Sequence, residues 1–287
     1  MRKKFLFFFL IVSLLISSQL IFVEDSKAAC AESSPGVISQ VAVLASCEDE
    51  PTSYGIIIYN LYLCTAAPAA PTIASSIDLT NCVETFSNSA GYFASVSNGA
   101  AVNLSGTATL PPNGTYTHGI VKMDNTFALT ASKQFEIAYN GQVSGTGVYC
   151  STADGSGTVA SGGVAGLPTN TTICGSSPVE AGTHTQTLTS MDDVFTATAT
   201  GTNIAGTGAN VTAYLVDADQ NLAANEVEVD KLNAVVEFAS AATITSSTTN
   251  IDVSFNVGEG MQISSGNLNG AIFFGIGPFQ ATITVTP

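Results

Sequence analysis

Apolar and polar residues alternate along most of the chain with a period of two, and the last third shows the pattern most clearly. Two runs, residues 251–257 and 280–286, place an apolar side chain at every second position. Successive side chains of a β-strand point to opposite faces, so each run predicts a strand with one buried face and one face in water. Between them, residues 271–277 are apolar at almost every position, which predicts a more deeply buried strand.

A strand in the first half is predicted with similar clarity. Residues 54–63 are rich in Ile and Tyr and lead into Cys64, which favours a central strand of a sheet. The alternation assigns its side chains to two faces: Tyr54, Ile56 and Ile58 on one, and Ile57, Tyr59 and Leu61 on the other.

Turn chemistry and composition extend the β prediction. Asn140-Gly141 follows an alternating run and accepts positive φ, so it predicts a two-residue hairpin turn. Residues 222–242 contain good helix formers but alternate with the strand period, and we predict strands there. Together these patterns predict an all-β fold, built as one or two antiparallel β-sandwiches of immunoglobulin-like or jelly-roll type.

The first 28 residues differ from the rest of the chain. Three bases at 2–4 precede an apolar stretch over residues 5–17, and small residues surround Ala28. This pattern predicts a helical secretory signal peptide, residues 1–28, that is cleaved after Ala28. An uncleaved membrane anchor is the alternative, because residues 5–23 are nearly long enough to span a bilayer.

Removal of the signal leaves a polyanion. The full chain has seven bases and 22 acids, and residues 1–28 hold four of the bases and two of the acids. The mature chain therefore has three lysines, no arginine, 20 acids and a net charge of −17. Nucleic acids and anionic lipid head groups bind clustered basic residues, so we exclude nucleic-acid binding and expect no membrane attachment after signal cleavage.

Six cysteines remain after signal removal, an even number in a chain sent to an oxidising compartment. Their spacings lack the close pairs of a zinc site, so we predict disulfides. Spacing alone does not fix the connectivity. The simplest hypothesis joins nearest neighbours: Cys30 with Cys47, Cys64 with Cys82, and Cys150 with Cys174.

The distribution of cysteines suggests a division of the chain. All six precede residue 175, and residues 151–178 are crowded with Gly, Ser and Thr, a composition typical of a loop or linker. We therefore predict two domains after the signal: a disulfide-bearing β domain at 29–178 and a cysteine-free β domain at 179–287. One large sandwich is the alternative for a chain of this length.

Oxygen-bearing side chains in one polar segment have the spacing of a calcium loop. Asp217, Asp219, Asn221, Asn225 and Glu228 stand at loop positions 1, 3, 5, 9 and 12, as in the EF-hand. The preceding residues predict a strand instead of a helix, so the hypothesis is a structural calcium ion in a β-loop. The alternative is a polar loop whose Asp and Asn residues cap turns. No other cofactor is predicted.

Catalytic chemistry has no comparable signal in the sequence. His118 and His184 are the two histidines, and no Gly-x-Ser-x-Gly elbow accompanies them. A carboxylate pair of the glycosidase type meets in space, so spacing cannot identify it. We therefore predict a protein that is not an enzyme, and keep an extracellular hydrolase with an unrecognised carboxylate pair as an alternative.

Four tyrosines in the cysteine-rich half are candidate sugar contacts, because exposed aromatic rings can stack on sugars. They are Tyr54, Tyr59, Tyr62 and Tyr92. Packing in the core is the competing explanation, since strand alternation buries every second side chain.

Three pieces of sequence in the first half of the mature chain resemble one group of proteins. They are residues 52–64, with Tyr-Gly-Ile-Ile-Ile-Tyr-Asn-Leu-Tyr-Leu-Cys, then Cys82, and Asn-Gly-Thr-Tyr-Thr-His at 113–118. These pieces are similar to uncharacterised exported proteins of marine alphaproteobacteria. The resemblance implies an exported protein and carries over no catalytic residues.

Three functional hypotheses follow. The first is an exported structural or interaction protein, adhesin-like or part of a surface layer, whose partners are copies of itself or other cell-surface proteins. The second is a carbohydrate-binding module with a polysaccharide partner, and the third is the hydrolase. The expected location is secreted or at the cell surface, with the periplasm as the alternative.

Overall fold

The computed structural model describes residues 28–97, 103–162, 167–202, 208–265 and 270–286. Strands make up 58% of the residues and helices 4%, so the all-β prediction is confirmed. The predicted signal peptide, residues 1–28, lies outside the described residues except for Ala28. Within the described ranges, no helix has the length and apolar character needed to cross a bilayer.

The described residues contain nineteen named strands. A short helix, α1 (Gln40–Ala45), and a 3-10 turn (Glu226–Glu228) interrupt them. In chain order the strands are β1 (Glu32–Ser34), β2 (Val37–Ile38), β3 (Cys47–Asp49), β4 (Ser53–Cys64), β5 (Cys82–Val96), β6 (Thr107–Ala108), β7 (Gly114–Thr130), β8 (Ser132–Gly141), β9 (Thr146–Thr152), β10 (Gly155–Val159), β11 (Thr172–Gly175), β12 (His184–Leu188), β13 (Thr198–Gly201), β14 (Asn210–Val216), β15 (Lys231–Ile244), β16 (Asn250–Asn256), β17 (Met261–Ser265), β18 (Ala271–Ile276) and β19 (Gln280–Thr286).

Two large sheets contain most of these strands. The eight-stranded sheet follows the path β1-β2-β8-β18-β17-β3, with β9 beside β8 and β11 beside β9. The nine-stranded sheet follows β13-β14-β15-β7-β4-β5-β6, with β12 beside β7 and β10 beside β12, while β16 and β19 form a separate pair. Most pairs are antiparallel, as predicted, but β2–β8, β8–β18 and β10–β12 are parallel, so both large sheets are mixed.

The two large sheets share one apolar core. Tyr54 and Ile56 of the nine-stranded sheet belong to the same cluster of buried side chains as Phe135 and Phe274 of the eight-stranded sheet. Burying side chains of this size contributes about 1.5–3 kcal/mol each. The shared interior is therefore the main source of stability.

Gln186 joins the sheets within that core. It lies in β12 of the nine-stranded sheet and has no exposed surface. Its Nε2 donates to the carbonyl of Phe274 at 2.9 Å, and its Oε1 accepts from the N–H of Ile276 at 2.9 Å. Because both partners belong to β18 of the other sheet, a fully buried amide is satisfied at both ends and fixes how β12 meets β18.

Strands from before and after residue 178 pair with one another. β7 bonds to β12 and β15, β8 to β18, and β3 to β17, so segments 29–178 and 179–287 contribute to the same two sheets. The loop prediction for residues 151–178 is wrong in part, because β10 and β11 lie inside that segment. Threonine is a good strand former as well as a loop residue, which explains the error.

The alternation of β4 follows the prediction as far as Ile58. The face that bears Tyr54 is buried, and the face that bears Tyr59 is half exposed. The register against β7 then shifts, because β4 advances two residues from Ile58 to Asn60 while β7 advances one, from Met123 to Lys122. This bulge turns Leu61 into the core, so its predicted place beside Tyr59 is wrong.

The predicted turn at Asn140-Gly141 is also wrong. Strand β8 runs through both residues, and Asn140 pairs with Thr146, so the loop spans residues 142–145. Gly145 has a φ of +79°, and a Cβ there would lie 1.9 Å from the carbonyl oxygen of Cys174. Glycine is therefore required at this later position.

All three cystines join the predicted pairs, Cys30–Cys47, Cys64–Cys82 and Cys150–Cys174. The second and third pairs lie directly opposite each other across β4 and β5 and across β9 and β11. The first ties the N-terminal segment to β3. The predicted nearest-neighbour pairing is therefore confirmed. Each bond joins two segments that backbone hydrogen bonds already hold side by side.

Candidate functional site

One face of the nine-stranded sheet lies opposite the shared core, and we call it the outer face. Gly55, Ile57 and Tyr59 of β4 project there, because their neighbours Tyr54 and Ile58 project into the core. The sheet alternation therefore separates two sets of side chains on a single strand.

Phe93 of β5 is the most exposed aromatic side chain of this face, with 55% of its surface accessible. It pairs with Ile57, and its ring lies over Gly55, where a Cβ would come within 2.6 Å of the ring. Because residue 55 is glycine, the Phe93 ring can occupy the space that a side chain would fill. The outer face gains an exposed aromatic surface at this point.

Tyr59 forms the second part of the outer face. Its hydroxyl donates to Asp124 Oδ2 at 3.1 Å, and Lys231 Nζ lies 3.5 Å from the same oxygen. The ammonium of Lys231 also lies 5.1 Å from the centre of the Tyr59 ring, a cation–π contact. A tyrosine, a carboxylate and a lysine from β4, β7 and β15 therefore form one constellation.

Tyr62 repeats this arrangement farther along β4. Its hydroxyl donates to Glu84 Oε2 at 3.1 Å, and Asn60 Nδ2 donates to the same oxygen at 3.0 Å. Lys122 Nζ lies 5.6 Å from the centre of the Tyr62 ring. Two of the three lysines after residue 28 thus lie on this face, each against a tyrosine.

The surroundings shift the protonation of these groups. Burial, with the charge of Glu84 second, raises the pKa of Tyr62 to about 12, and burial also raises the pKa of Tyr59. Burial lowers the pKa of Lys122, although Glu84 opposes the change. For Lys231 burial acts in the same sense, but Asp124 and Asp230 together outweigh it and raise the pKa. At neutral pH both tyrosines therefore keep their protons and donate to the carboxylates.

A disulfide-closed loop borders this region on one side. Residues 65–81 connect Cys64 to Cys82, and Ile77 in the loop is buried against Ile120 of β7. Asn233 of β15, which pairs with Lys122 of β7, is fully buried, and its Oδ1 has no hydrogen-bond partner. The outer face is thus covered at Ile120 and Asn233, whereas Tyr59 and Tyr62 are partly exposed and Phe93 is exposed.

The structure divides the four predicted sugar-contact tyrosines. Tyr59 and Tyr62 lie on the outer face, whereas Tyr54 is buried in the core and Tyr92 packs against it. Phe93, which sequence reasoning missed, lies on the outer face instead. The alternation of residues 92–96 placed Phe93 opposite Tyr92, but its position over Gly55 depends on the β4–β5 register, which no local pattern specifies.

Three of the five predicted calcium ligands lie in one tight turn. Asp217 Oδ1 accepts from the N–H groups of Asp219 and Asn221 at 2.9 and 2.8 Å. Gln220, between them, has a φ of +68°. This is the turn-capping arrangement of the alternative hypothesis, in which the carboxylate satisfies backbone donors.

The other two predicted ligands form a separate group. Asn225 caps the 3-10 turn, since its Oδ1 accepts from Val227 and Glu228 N–H, and its Nδ2 donates to Glu228 Oε1 at 2.7 Å. The strand predicted for residues 222–242 starts only after this turn, at Lys231. Among the described residues, no three His, Cys, Asp or Glu side chains gather as a metal-holding group. Calcium binding by this segment stays a prediction.

The two histidines lie apart in different settings. His118 Nδ1 lies 2.9 Å from Thr117 Oγ1 in the middle of the nine-stranded sheet. His184 begins β12, is fully buried, and neither ring nitrogen has a hydrogen-bond partner. Burial lowers the pKa of His184, and the nearby backbone of Thr169 only partly offsets this.

Comparisons of this chain with protein-family models, with curated proteins and with solved structures find no match.

Proposed function

We propose that the chain is an exported structural or interaction protein of the cell exterior, adhesin-like or part of a surface layer. Its two large sheets form one β-sandwich of immunoglobulin-like or jelly-roll type, with the shared cluster of buried side chains between them. The proposed location is secreted or cell-surface, in keeping with the resemblance to exported proteins of marine alphaproteobacteria.

The observation that carries this proposal is the set of three cystines. All six cysteines are bonded, and each bond joins neighbouring segments of the sheets. Such bonds persist in oxidising compartments and are rare in the reducing cytosol. They support export independently of the leader sequence.

The surface supports a persistent interaction protein. A net charge of −17 keeps mature chains soluble, and three lysines without arginine offer few cleavage sites to trypsin-like proteases. The acidic groups of the outer face, Glu84 and Asp124, are held by tyrosine hydroxyls and face lysines. The proposal assigns them to binding and structure and contains no catalytic step.

The test combines location with disulfide mapping in the producing cells. Intact cells are treated with a membrane-impermeant amine reagent, and the recovered protein is digested without reduction and analysed by mass spectrometry. We expect labelled lysines, a mature N-terminus at residue 29, and three linked peptide pairs that join the cysteines as in the structure.

Two results would contradict the proposal in different ways. Protein confined to the cytosol with free thiols overturns export altogether. Protein labelled only after the outer membrane is permeabilised places it in the periplasm and removes the adhesin and surface-layer roles.

A further inference from the structure

We propose that the outer face between Phe93 and Tyr62 binds an extended, neutral polysaccharide, which names the partner of the interaction protein proposed above and rests on that function. The site consists of the rings of Phe93, Tyr59 and Tyr62 with the polar groups beside them.

The three rings form a row along one strand. Phe93 lies over residue 55 of β4, and the two tyrosines belong to β4 itself. At the rise of a β-strand, residues 55–62 span roughly 20 Å. A row of this length matches an extended chain of sugars better than a single compact ligand.

Two glycines give the rings their positions. A Cβ on Gly55 would lie 2.6 Å from the ring of Phe93. Gly91 has a φ of +75°, and a Cβ there would lie 2.5 Å from Ile57 Cγ2 and 2.9 Å from the Tyr59 ring. A side chain at either position would push an aromatic ring away from the sheet. The aromatic row therefore depends on β4 and β5 together.

Polar groups beside the rings fit the hydroxyl groups of sugars. Glu84 and Asp124 are acceptors, and Lys122 and Lys231 are donors. A sugar hydroxyl both donates and accepts, so it can bond to either kind of group, and a carboxylate keeps free lone pairs after it binds a tyrosine hydroxyl. The lysine chains are flexible, so their ammonium groups can turn from the tyrosine rings to a bound hydroxyl.

The charge of the outer face and of the whole chain determines which class of polysaccharide can bind. Lys122 interacts with Glu84, and Lys231 lies within 3.5 Å of both Asp124 and Asp230, so the face has no excess of positive charge within a chain of net charge −17. A polyanionic chain would be repelled by the molecule as a whole, whereas a neutral chain meets no such barrier.

A protein partner fits the face less well. Protein docking sites have a continuous apolar centre with few charges. Here four charged side chains lie between and beside the rings, and the most apolar exposed element is the single ring of Phe93. The combination of separated rings and hydrogen-bonding groups favours a sugar chain.

The test is affinity electrophoresis of the mature, disulfide-bonded protein in gels that contain hydroxyethylcellulose, glucomannan or alginate, together with sedimentation on insoluble chitin. We expect retention by at least one neutral probe and none by alginate. Phe93→Ala and Tyr59→Ala should each raise the Kd about tenfold or more, the effect of losing one aromatic stacking contact.

Leu110→Ala is the matched control, because Leu110 is also 55% exposed but lies outside the aromatic row. It should bind like the unmodified protein, and the thermal unfolding curves of all variants should confirm that they fold. Tyr59→Phe, which keeps the ring, should retain most of the binding. Since the chain has no tryptophan, quenching of tyrosine emission gives a second measure of binding.

Retention by no neutral probe overturns the inference, as does retention that Phe93→Ala and Tyr59→Ala leave unchanged, or stronger retention by alginate. These outcomes are independent of the location test. A protein labelled on intact cells that binds no neutral polysaccharide loses this inference alone, whereas a cytosolic protein with free thiols loses the proposed function first.

Discussion

The two faces of the nine-stranded sheet belong to the same strands but differ in burial and in the groups that surround their aromatic rings. On the core face, Tyr54 lies 5.7 Å from Phe127, ring centre to ring centre, and both are almost fully buried. On the outer face, Phe93 and Tyr59 keep exposed surface, and Tyr59 lies against Asp124 and Lys231. Burial raises the pKa of Tyr54, whose hydroxyl donates to a backbone carbonyl, so this tyrosine is a structural residue.

This difference shows that alternation along one strand can place the side chains that stabilise the fold on one face and the side chains available for binding on the other. Residues one position apart on β4 differ from complete burial to partial exposure, so a substitution at an even-numbered position before the bulge should affect folding, and one at an odd-numbered position should affect the surface. The following predictions test that division, beginning with the largest effect.

Truncation of a core aromatic should be the most damaging single change. Phe127→Ala removes a ring that contacts Tyr54 and Phe279, and we expect it to lower the free energy of unfolding by about 3–5 kcal/mol. Phe93→Ala on the outer face should lower it by less than about 1 kcal/mol. Urea unfolding followed by circular dichroism measures both, and equal losses would show that the two faces are not distinct.

Loss of one cystine should rank next. Replacing Cys64 and Cys82 with serine opens the loop at residues 65–81, and we expect a loss of about 3 kcal/mol from the greater freedom of the unfolded chain. Replacing Cys30 and Cys47, whose sequence separation is nearly the same, is the matched control and should cost a similar amount. A much smaller loss for the first pair would mean that the loop over Ile120 is held without its bond.

The burial of His184 leads to a prediction of how the free energy of unfolding changes with pH. Its folded pKa lies below the unfolded value of about 6.5, so the neutral form is favoured in the folded protein. The stability from this group is fully present above about pH 6.5 and is lost as the pH falls through the lower, folded pKa. Asp154, which precedes the register partner of His184 at Gly155, accepts a hydrogen bond from the N–H of Thr183.

We expect the melting temperature of the unmodified protein to fall more steeply on acidification than that of His184→Leu, which cannot be protonated there. Calorimetric scans between neutral and mildly acidic pH compare the two slopes. Parallel slopes would show that protonation of His184 does not destabilise the folded protein, which would contradict the buried position of its ring.

Sequence reasoning was right where neighbouring residues fix the structure, and wrong where the position of a residue depends on residues far away in the chain. The common face of Tyr54, Ile56 and Ile58 followed from the period of two, and the cystine pairs followed from proximity in sequence. Leu61 was misplaced because its direction depends on a bulge in β4, which arises in the pairing of β4 with β7. The turn after β8 was misplaced because Cys174, 29 residues after Gly145, restricts that position.

The candidate site was predicted only in part, for the same reason. The tyrosines of β4 were identified as aromatic residues, but their contacts with Glu84, Lys122 and Lys231 come from β5, β7 and β15. Such cross-strand partners depend on register, and register depends on the whole sheet. The spacing of the 217–228 segment was visible in the sequence, yet it is equally the spacing of two successive capped turns.

Asp217→Ala should have the smallest effect of those tested. It removes the acceptor for two backbone N–H groups, and we expect a loss of about 1 kcal/mol, as for other caps. If the carboxylate only caps the turn, the loss is the same with added calcium as with a chelator. A loss that grows in calcium, with a melting temperature of the unmodified protein that falls on chelation, would establish the calcium site.

The most direct test of the division between faces is hydroxyl-radical footprinting of the native protein, with modified residues identified by mass spectrometry. Phe93 and Tyr59 should be oxidised quickly, and Tyr54 and Phe127 should stay protected until the protein is denatured. Oxidation of Tyr54 as fast as Tyr59, or protection of Phe93 in the free protein, would contradict the assignment of one face to the core and the other to binding.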